Sequence, residues 1–238
     1  MRVSSLAWPV ASAVLVASVP IVLIVSSLNA LFYDPEYYAQ GEARWAVGRT
    51  TEYSLDALRP INRAIVEFFR TPAVSLPTAL QDEGAPRDVF NVREVGHMND
   101  VRDLVRGIDR LQNFAATLAI TAVLARFVRF GSGAWRWTAT RLGVGAALTL
   151  GVVAVFGALT LVDFEQLFLT FHLVSFDNDL WELDPRKDNL IRFFPFEFWY
   201  DATVTVAIRT VLSAVAVGAA AVLAGRWLKG GIGEHVFP

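Results

Sequence analysis

The amino-acid sequence predicts an all-helical protein that crosses a membrane four times. Three observations carry that prediction. Hydrophobic residues make up 54% of the 238 positions, above the roughly 45–50% usual in soluble domains. They are bunched into long uncharged stretches. Lys and Arg divide unevenly among the segments joining those stretches, as they do across a bilayer.

The spans follow in chain order. Residues 6–31 carry no charge, and a helix needs roughly 20 apolar residues to cross. A first span over 6–31 is therefore expected. Only Arg2 precedes it, and the apolar run exceeds the usual signal core of about 7–15 residues. No small-x-small cleavage pattern precedes Phe32, so an uncleaved anchor is expected. Residues 114–125 are uncharged and grade into Arg126 and Arg129, giving a second span over 111–130. Residues 142–162 are uncharged, and 202–224 are interrupted by Arg209 alone, giving the third and fourth. Buried helices of a soluble core explain such runs less well.

Charge sets the expected orientation. With the N-terminus inside, the inner loop 131–141, the tail 225–238 and the flanking span ends hold Arg2, Arg126, Arg129, Arg136, Arg141, Arg226 and Lys229 against Glu234 alone. The outer segments, 32–110 and 163–201, hold 22 acids against 13 bases. Basic flanks on the cytoplasmic side make both termini cytoplasmic. Trp8, Trp135, Trp137, Trp199 and Trp227 fall near span ends, where an aromatic belt would lie.

Cysteine is absent, which excludes disulfides, a thiol nucleophile and thiolate metal sites. No Gly-rich phosphate loop, nucleotide fingerprint or repeat appears, so nothing suggests an energised pump, and no nucleic-acid partner is expected. The spans lack the paired symmetry and broken helices of secondary transporters. Gly131-Ser132-Gly133 reads as a turn between spans, and His235 as a solvated tail residue.

The outer segments carry the chemistry. Leu55, Leu58, Ile61, Ile65 and Phe68 recur at three- and four-residue spacing and predict a helix over 54–69 that lies at the interface or caps the bundle. Residues 71–86, with three prolines and a glycine, read as loop. A second helix is expected from about Asp88 through Arg110. On it Glu94, His97 and Asp100 stand three apart and share one face. A carboxylate beside an imidazole holds one ring nitrogen as donor and leaves the other as a base. Glu-x-x-His is also a di-metal ligand pattern, but that site needs two such motifs, and one is present. A plain histidine on a charged helix face is the alternative.

The second outer segment places His172 on the same side, followed by Asp177, Asn178, Asp179 and Trp181 among many aromatics. Asp184-Pro185 and Phe194-Pro195 break any continuous helix, so the chain is expected to fold back at the headgroup level. Two imidazoles beside a lipid surface have the means to move protons there. Arg209, about two turns into the fourth span, is costly in lipid and by default functional. It is expected to contact substrate, to pair with Asp163 or Asp201, or to snorkel outwards.

These residues carry a resemblance. The string Asn91-x-x-Glu94-x-x-His97-Met98-x-Asp100-Val101 is one half of it. The other half is Phe171-His172, then Phe176-Asp177-Asn178-Asp179-x-Trp181-x-Leu183-Asp184-Pro185 and the Phe-Pro-x-x-Phe-Trp string from Phe194. Together they resemble the four-span bacterial membrane family of lipoprotein intramolecular transacylases, Lit, over nearly the whole chain. The resemblance implies a reaction without a cofactor. The sn-2 acyl chain of a diacylglyceryl-modified lipoprotein moves to the α-amino group of its N-terminal cysteine, giving a lyso-form lipoprotein. The partners implied are that lipoprotein and membrane lipids.

In that setting His97, oriented by Glu94 or Asp100, is assigned as general base, and His172 as donor to the oxyanion or leaving oxygen. The two roles are exchangeable at this level. Asp177, Asn178, Asp179 and Trp181 are expected to orient His172 or bind the substrate. No metal site is assigned. Two other classes stay open: a metal-dependent membrane hydrolase using His97, His172 and nearby carboxylates, and a non-enzymatic membrane protein that binds lipid or a partner.

Overall fold

The computed structural model describes residues 7–230, with the side chains of 228–230 left aside. Every regular element among them is helical. In chain order these are α1 (Ala7–Phe32), α2 (Pro35–Arg44), α3 (Val47–Thr50), α4 (Leu55–Arg70), α5 (Leu76–Asp82), α6 (Val92–Phe130), a short 3₁₀ turn (Gly131–Gly133), α7 (Ala134–Val162), α8 (Phe164–Ser175), α9 (Asn189–Phe193) and α10 (Phe196–Gly230).

Among the described residues, three stretches are long and apolar enough to cross a membrane: Ala7–Phe32, Val92–Val162 and Phe196–Trp227. The middle one is 71 residues, far beyond one crossing. Its break is the 3₁₀ turn, where Gly131 adopts φ +53°, a left-handed conformation that suits glycine. Each apolar run expected from sequence thus lies in its own helix. The helices overshoot the runs: α6 begins at Val92 and continues without interruption to Phe130.

The chain divides into two compact units, one of 1–27, 108–158 and 206–238, the other of 28–107 and 159–205. In the first, α1 and α7 approach closely at Gly145. A Cβ there would lie 2.6 Å from Val19 Cγ2 and 3.1 Å from the Val16 carbonyl oxygen. Small residues allow such an approach where lipid supplies no hydrophobic drive between helices. Trp137 Nε1 donates to Ser12 Oγ at 3.0 Å and Gln112 Nε2 to Ser26 Oγ at 2.7 Å, polar ties of the kind membrane helices use.

The second unit has its own hydrophobic core, built around α4. Leu58, Ile61, Ala64, Ile65 and Phe68 are almost fully buried, so the expected periodic face is real, although Leu55 is exposed. Ser54 caps the helix, its hydroxyl accepting from the Ala57 amide at 3.2 Å. Phe193, Phe194 and Phe198 complete the core with Leu76, Ala79 and Leu80 of α5. Residues 71–86 are therefore not all loop. Ser75 caps α5, and a proline sits in its first turn, where the missing N–H costs nothing. Asp34 and Pro35 start α2 in the same way. Asp163 caps α8 by accepting from the Gln166 amide at 2.9 Å. The two expected breaks hold: turns at 184–188 and at Phe194-Pro195 separate α9 from its neighbours.

Candidate active site

The second unit brings His97 of α6 and His172 of α8 together. Their ring centroids are 6.0 Å apart and the planes are inclined by 33°. Both are buried, each 8% exposed. Aromatic rings enclose the pair. Phe168 lies 4.4 Å from His172 and Trp181 5.1 Å, while Phe176 lies 5.2 Å from His97 and 5.7 Å from His172.

Local sequence explains how each residue arrives. Asn91 and Glu94 form a capping box at the start of α6. Asn91 Oδ1 accepts from the Arg93 and Glu94 amides at 2.9 and 3.1 Å, and Glu94 Oε2 accepts from the Asn91 amide at 2.7 Å. The other Glu94 oxygen accepts from the Leu190 amide at 2.6 Å, in the first turn of α9. Asn91 Nδ2 donates to Asp188 Oδ1 at 2.7 Å. Glu94, 1% exposed, therefore anchors two helix starts. Of the two carboxylates expected to orient His97, Glu94 has both oxygens engaged by backbone amides. Burial pushes its carboxyl up, and those amides pull against the rise.

Asp100 is the charge that acts on His97, favouring its cationic form. It also accepts from Asn178 Nδ2 at 2.9 Å. Arg93 donates to the Asp179 carbonyl oxygen and lies 3.6 Å from the Asp179 carboxylate. These two ties fasten segment 176–181 to α6. Gly96 makes the fit possible, since a Cβ there would approach Leu180 Cδ1 to 2.9 Å. Trp181 is thereby set beside His172. Asp177 is exposed. Gly96, Phe168 and Arg93 are the contributors that residue chemistry alone does not single out; the signal for Gly96 is a glycine next to a histidine within a helix.

The electrostatics favour neutral imidazoles. Burial pushes His97 down to about 4; the nearby His172 adds to the fall and Asp100 opposes it. Burial also lowers His172, opposed by its bond to the Phe168 carbonyl. That bond, 2.8 Å from Nδ1, fixes the tautomer. A carbonyl oxygen only accepts, so Nδ1 carries the proton and Nε2 presents a lone pair. His97 Nδ1 is buried with no hydrogen-bond partner.

Arg209 belongs to the other unit, where it is exposed on α10. The two acids expected to pair with it have other bonds. Asp201 accepts from Arg44 at 2.9 Å and Trp45 Nε1 at 3.1 Å, and Asp163 caps α8. His235 lies outside the described residues. Among the described residues, no three His, Cys, Asp or Glu side chains gather as a metal-ligating group.

Fold and site together define an all-helical protein with helices long enough to span a membrane and a buried two-histidine centre. The model of the family described as lipoprotein intramolecular transacylase Lit matches residues 13–199, and the chain belongs to that family. An uncharacterized protein of Aquifex aeolicus is 33% identical over 141 residues, 59% of this chain, so the chain spans about 60% of that relative's length. The structure of the membrane integral lipoprotein intramolecular transacylase Lit from Bacillus cereus shares the fold with a TM-score of 0.78 at 16% identity, covering 93% of this chain and 97% of that one. A variant of the same protein, with a histidine replaced by arginine, gives 0.74 at 16% identity, covering 94% of each chain.

Proposed function

We propose that this chain is a lipoprotein intramolecular transacylase of four spans, with both termini cytoplasmic and its histidine centre facing the outer side. The substrate is a diacylglyceryl-modified lipoprotein. Its N-terminal α-amine attacks the sn-2 ester carbonyl, the tetrahedral oxyanion collapses, and the glyceryl oxygen leaves as a hydroxyl. One C–N bond forms, one C–O bond breaks, and the proton lost by nitrogen ends on the leaving oxygen. No cofactor is required, because each step is acyl or proton transfer, and the greater stability of an amide over an ester drives it.

The observation that carries this reading is the 6.0 Å juxtaposition of His97 and His172 in an aromatic enclosure. The fixed tautomer favours His172 as the proton carrier: its Nε2 takes the amine proton and returns it to the leaving oxygen. This is the exchange of roles that residue spacing leaves open. His97 then serves as donor to the oxyanion. A neutral resting pair suits a base, since a protonated imidazole cannot accept. The imidazolium formed on transfer is offset by the oxyanion formed with it, at short range in a buried site where such pairing is strong. The acidic outer segments favour a cationic N-terminus.

The test is mass spectrometry of the N-terminal lipopeptide of one abundant lipoprotein, in a host lacking its own N-acylation. Wild type is expected to yield the N-acyl, S-monoacylglyceryl form at unchanged total mass. His97→Ala and His172→Ala are expected to leave the diacylglyceryl peptide with a free amine. An unchanged lipopeptide with well-expressed wild type overturns the assignment.

A further inference from the structure

The unit of 1–27, 108–158 and 206–238 carries a second feature, which the histidine centre does not use. Where α6 ends and α7 begins, an open pocket of about 260 Å³ is lined by Arg126, Gly133, Arg136, Trp137, Thr140 and Arg141. Spacing makes it from sequence. Arg136 and Thr140 are four apart, as are Trp137 and Arg141, so the first turns of α7 line the pocket with two adjacent rows that carry one guanidinium each. The turn at Gly131–Gly133 returns the chain so that Arg126 of α6 faces them.

Arg126 is held by rings. Its guanidinium carbon lies 3.9 Å from the Phe130 ring centroid, 4.7 Å from Trp8 and 5.4 Å from Trp137. Stacking of this kind occupies the faces of the guanidinium plane and leaves its N–H edge available. The pocket is nonetheless short of acceptors. Arg126 Nε and Arg141 Nε are buried without a hydrogen-bond partner. Thr140 spends its hydroxyl proton on the Arg136 carbonyl at 2.8 Å. No ion pair joins Arg126, Arg136 or Arg141 to an acid among the described residues. The described part of this unit contains one acid, Asp109, which stands 17 residues before Arg126 on α6, about 25 Å along the axis.

Buried donors without acceptors are costly, and three guanidiniums without a carboxylate are a fork-shaped donor set for a tetrahedral oxyanion. We propose that this pocket binds a phosphate group, supplied by the headgroup of an anionic phospholipid. The membrane source follows from placement: the donors sit at the ends of two apolar helices beside exposed Val128, Phe130 and Trp135, which belong in lipid. The inference rests on α6 and α7 spanning the bilayer, and not on the acyl-transfer reaction.

The test uses the full chain, delipidated in detergent, with native mass spectrometry of added phosphatidylglycerol and phosphatidylcholine. Wild type is expected to bind phosphatidylglycerol about tenfold tighter, which corresponds to roughly one charge-assisted contact. Arg126→Gln combined with Arg141→Gln is expected to bring the two lipids within about twofold, with little change in the delipidated unfolding midpoint. If the double variant does not fold, Arg136→Gln, at an exposed position, supplies the same comparison with a smaller loss. Retention of phosphatidylglycerol in millimolar inorganic phosphate assigns the site to a lipid headgroup, and displacement assigns it to a free phosphate anion. Equal affinity of wild type for both lipids, or a preference that survives the substitutions, overturns the site.

Discussion

Glu42→Gln is expected to stabilise the protein above neutral pH and to flatten its pH dependence. Glu42 of α2 is 1% exposed and faces Asn62 of α4, whose Nδ2 donates to Oε2 at 2.8 Å. Glu42 Oε1 and Asn62 Oδ1 are both buried without a partner. Burial raises the Glu42 carboxyl from 4.5 to about 7, with the Asn62 donor pulling against it. A carboxyl raised on folding binds its proton more tightly in the native state. Its contribution is present below about 4.5 and is lost as pH rises through 7. At about 1.4 kcal/mol per pH unit, the interval integrates to about 3 kcal/mol, of which about 2.5 falls between pH 5 and 8. Glutamine never ionises, and its Nε2, standing where Glu42 Oε1 has no partner, can donate to Asn62 Oδ1 while its oxygen accepts from Nδ2, so neither orphaned oxygen remains. Tryptophan-monitored thermal unfolding in detergent should show the variant above wild type by roughly 5–10 °C at pH 8 and close to it at pH 5. Parallel curves, or a variant below wild type at pH 8, refute the reasoning. Other titrating groups are common to both proteins and cancel in the difference.

Three further outcomes are expected. Because burial lowers both histidines, His97 to about 4 and His172 below its ordinary value of 6.5, acyl-transfer rate on a diacylglyceryl lipopeptide should follow the substrate amine, near 7.7–8.0; a histidine-dependent inflection above pH 6.5 contradicts the neutral pair. Gly96→Ala should slow transfer severalfold by displacing Leu180, while the unfolding free energy changes by about 1 kcal/mol or less, since the 2.9 Å contact is with the end of a flexible side chain. Adding Leu180→Ala should restore the rate, and failure to do so places the defect elsewhere. Glu94→Ala should cost about 2–4 kcal/mol by leaving two amides without their acceptor, with Glu94→Gln recovering part of it; a loss below about 0.5 kcal/mol in denaturant titration contradicts the anchoring role.

Much of this architecture is legible in residue patterning because a membrane enforces it. Long uncharged runs allow few alternatives, and the runs around Arg126 and Arg209 each lie within one helix. The burial of Leu58, Ile61, Ile65 and Phe68 likewise follows from spacing. Prolines mislead where they stand at the start of a helix. Pro35 and the proline in the first turn of α5 follow capping Asp34 and Ser75, and the helices they open resemble loop in composition. Glu94 shows a different limit. At three residues before His97 it is a face neighbour, and at three residues after Asn91 it is a capping partner; both readings obey helical spacing. The cap wins because Glu94 also meets the Leu190 amide, 96 residues away in sequence, a contact no local pattern encodes. The tautomer of His172 depends in the same way on a carbonyl one turn earlier.

The doubly engaged Glu94 has a consequence for how this unit opens. One carboxylate holds the amides of Asn91 and Leu190 through its two oxygens, so any opening that displaces Glu94 releases both together. The start of α6 and the start of α9 are therefore expected to open as one cooperative unit. In hydrogen exchange the two amides should show matched protection, and denaturant should bring them down together. Distant stretches of chain would thereby share a single melting event at the base of the histidine-bearing helix.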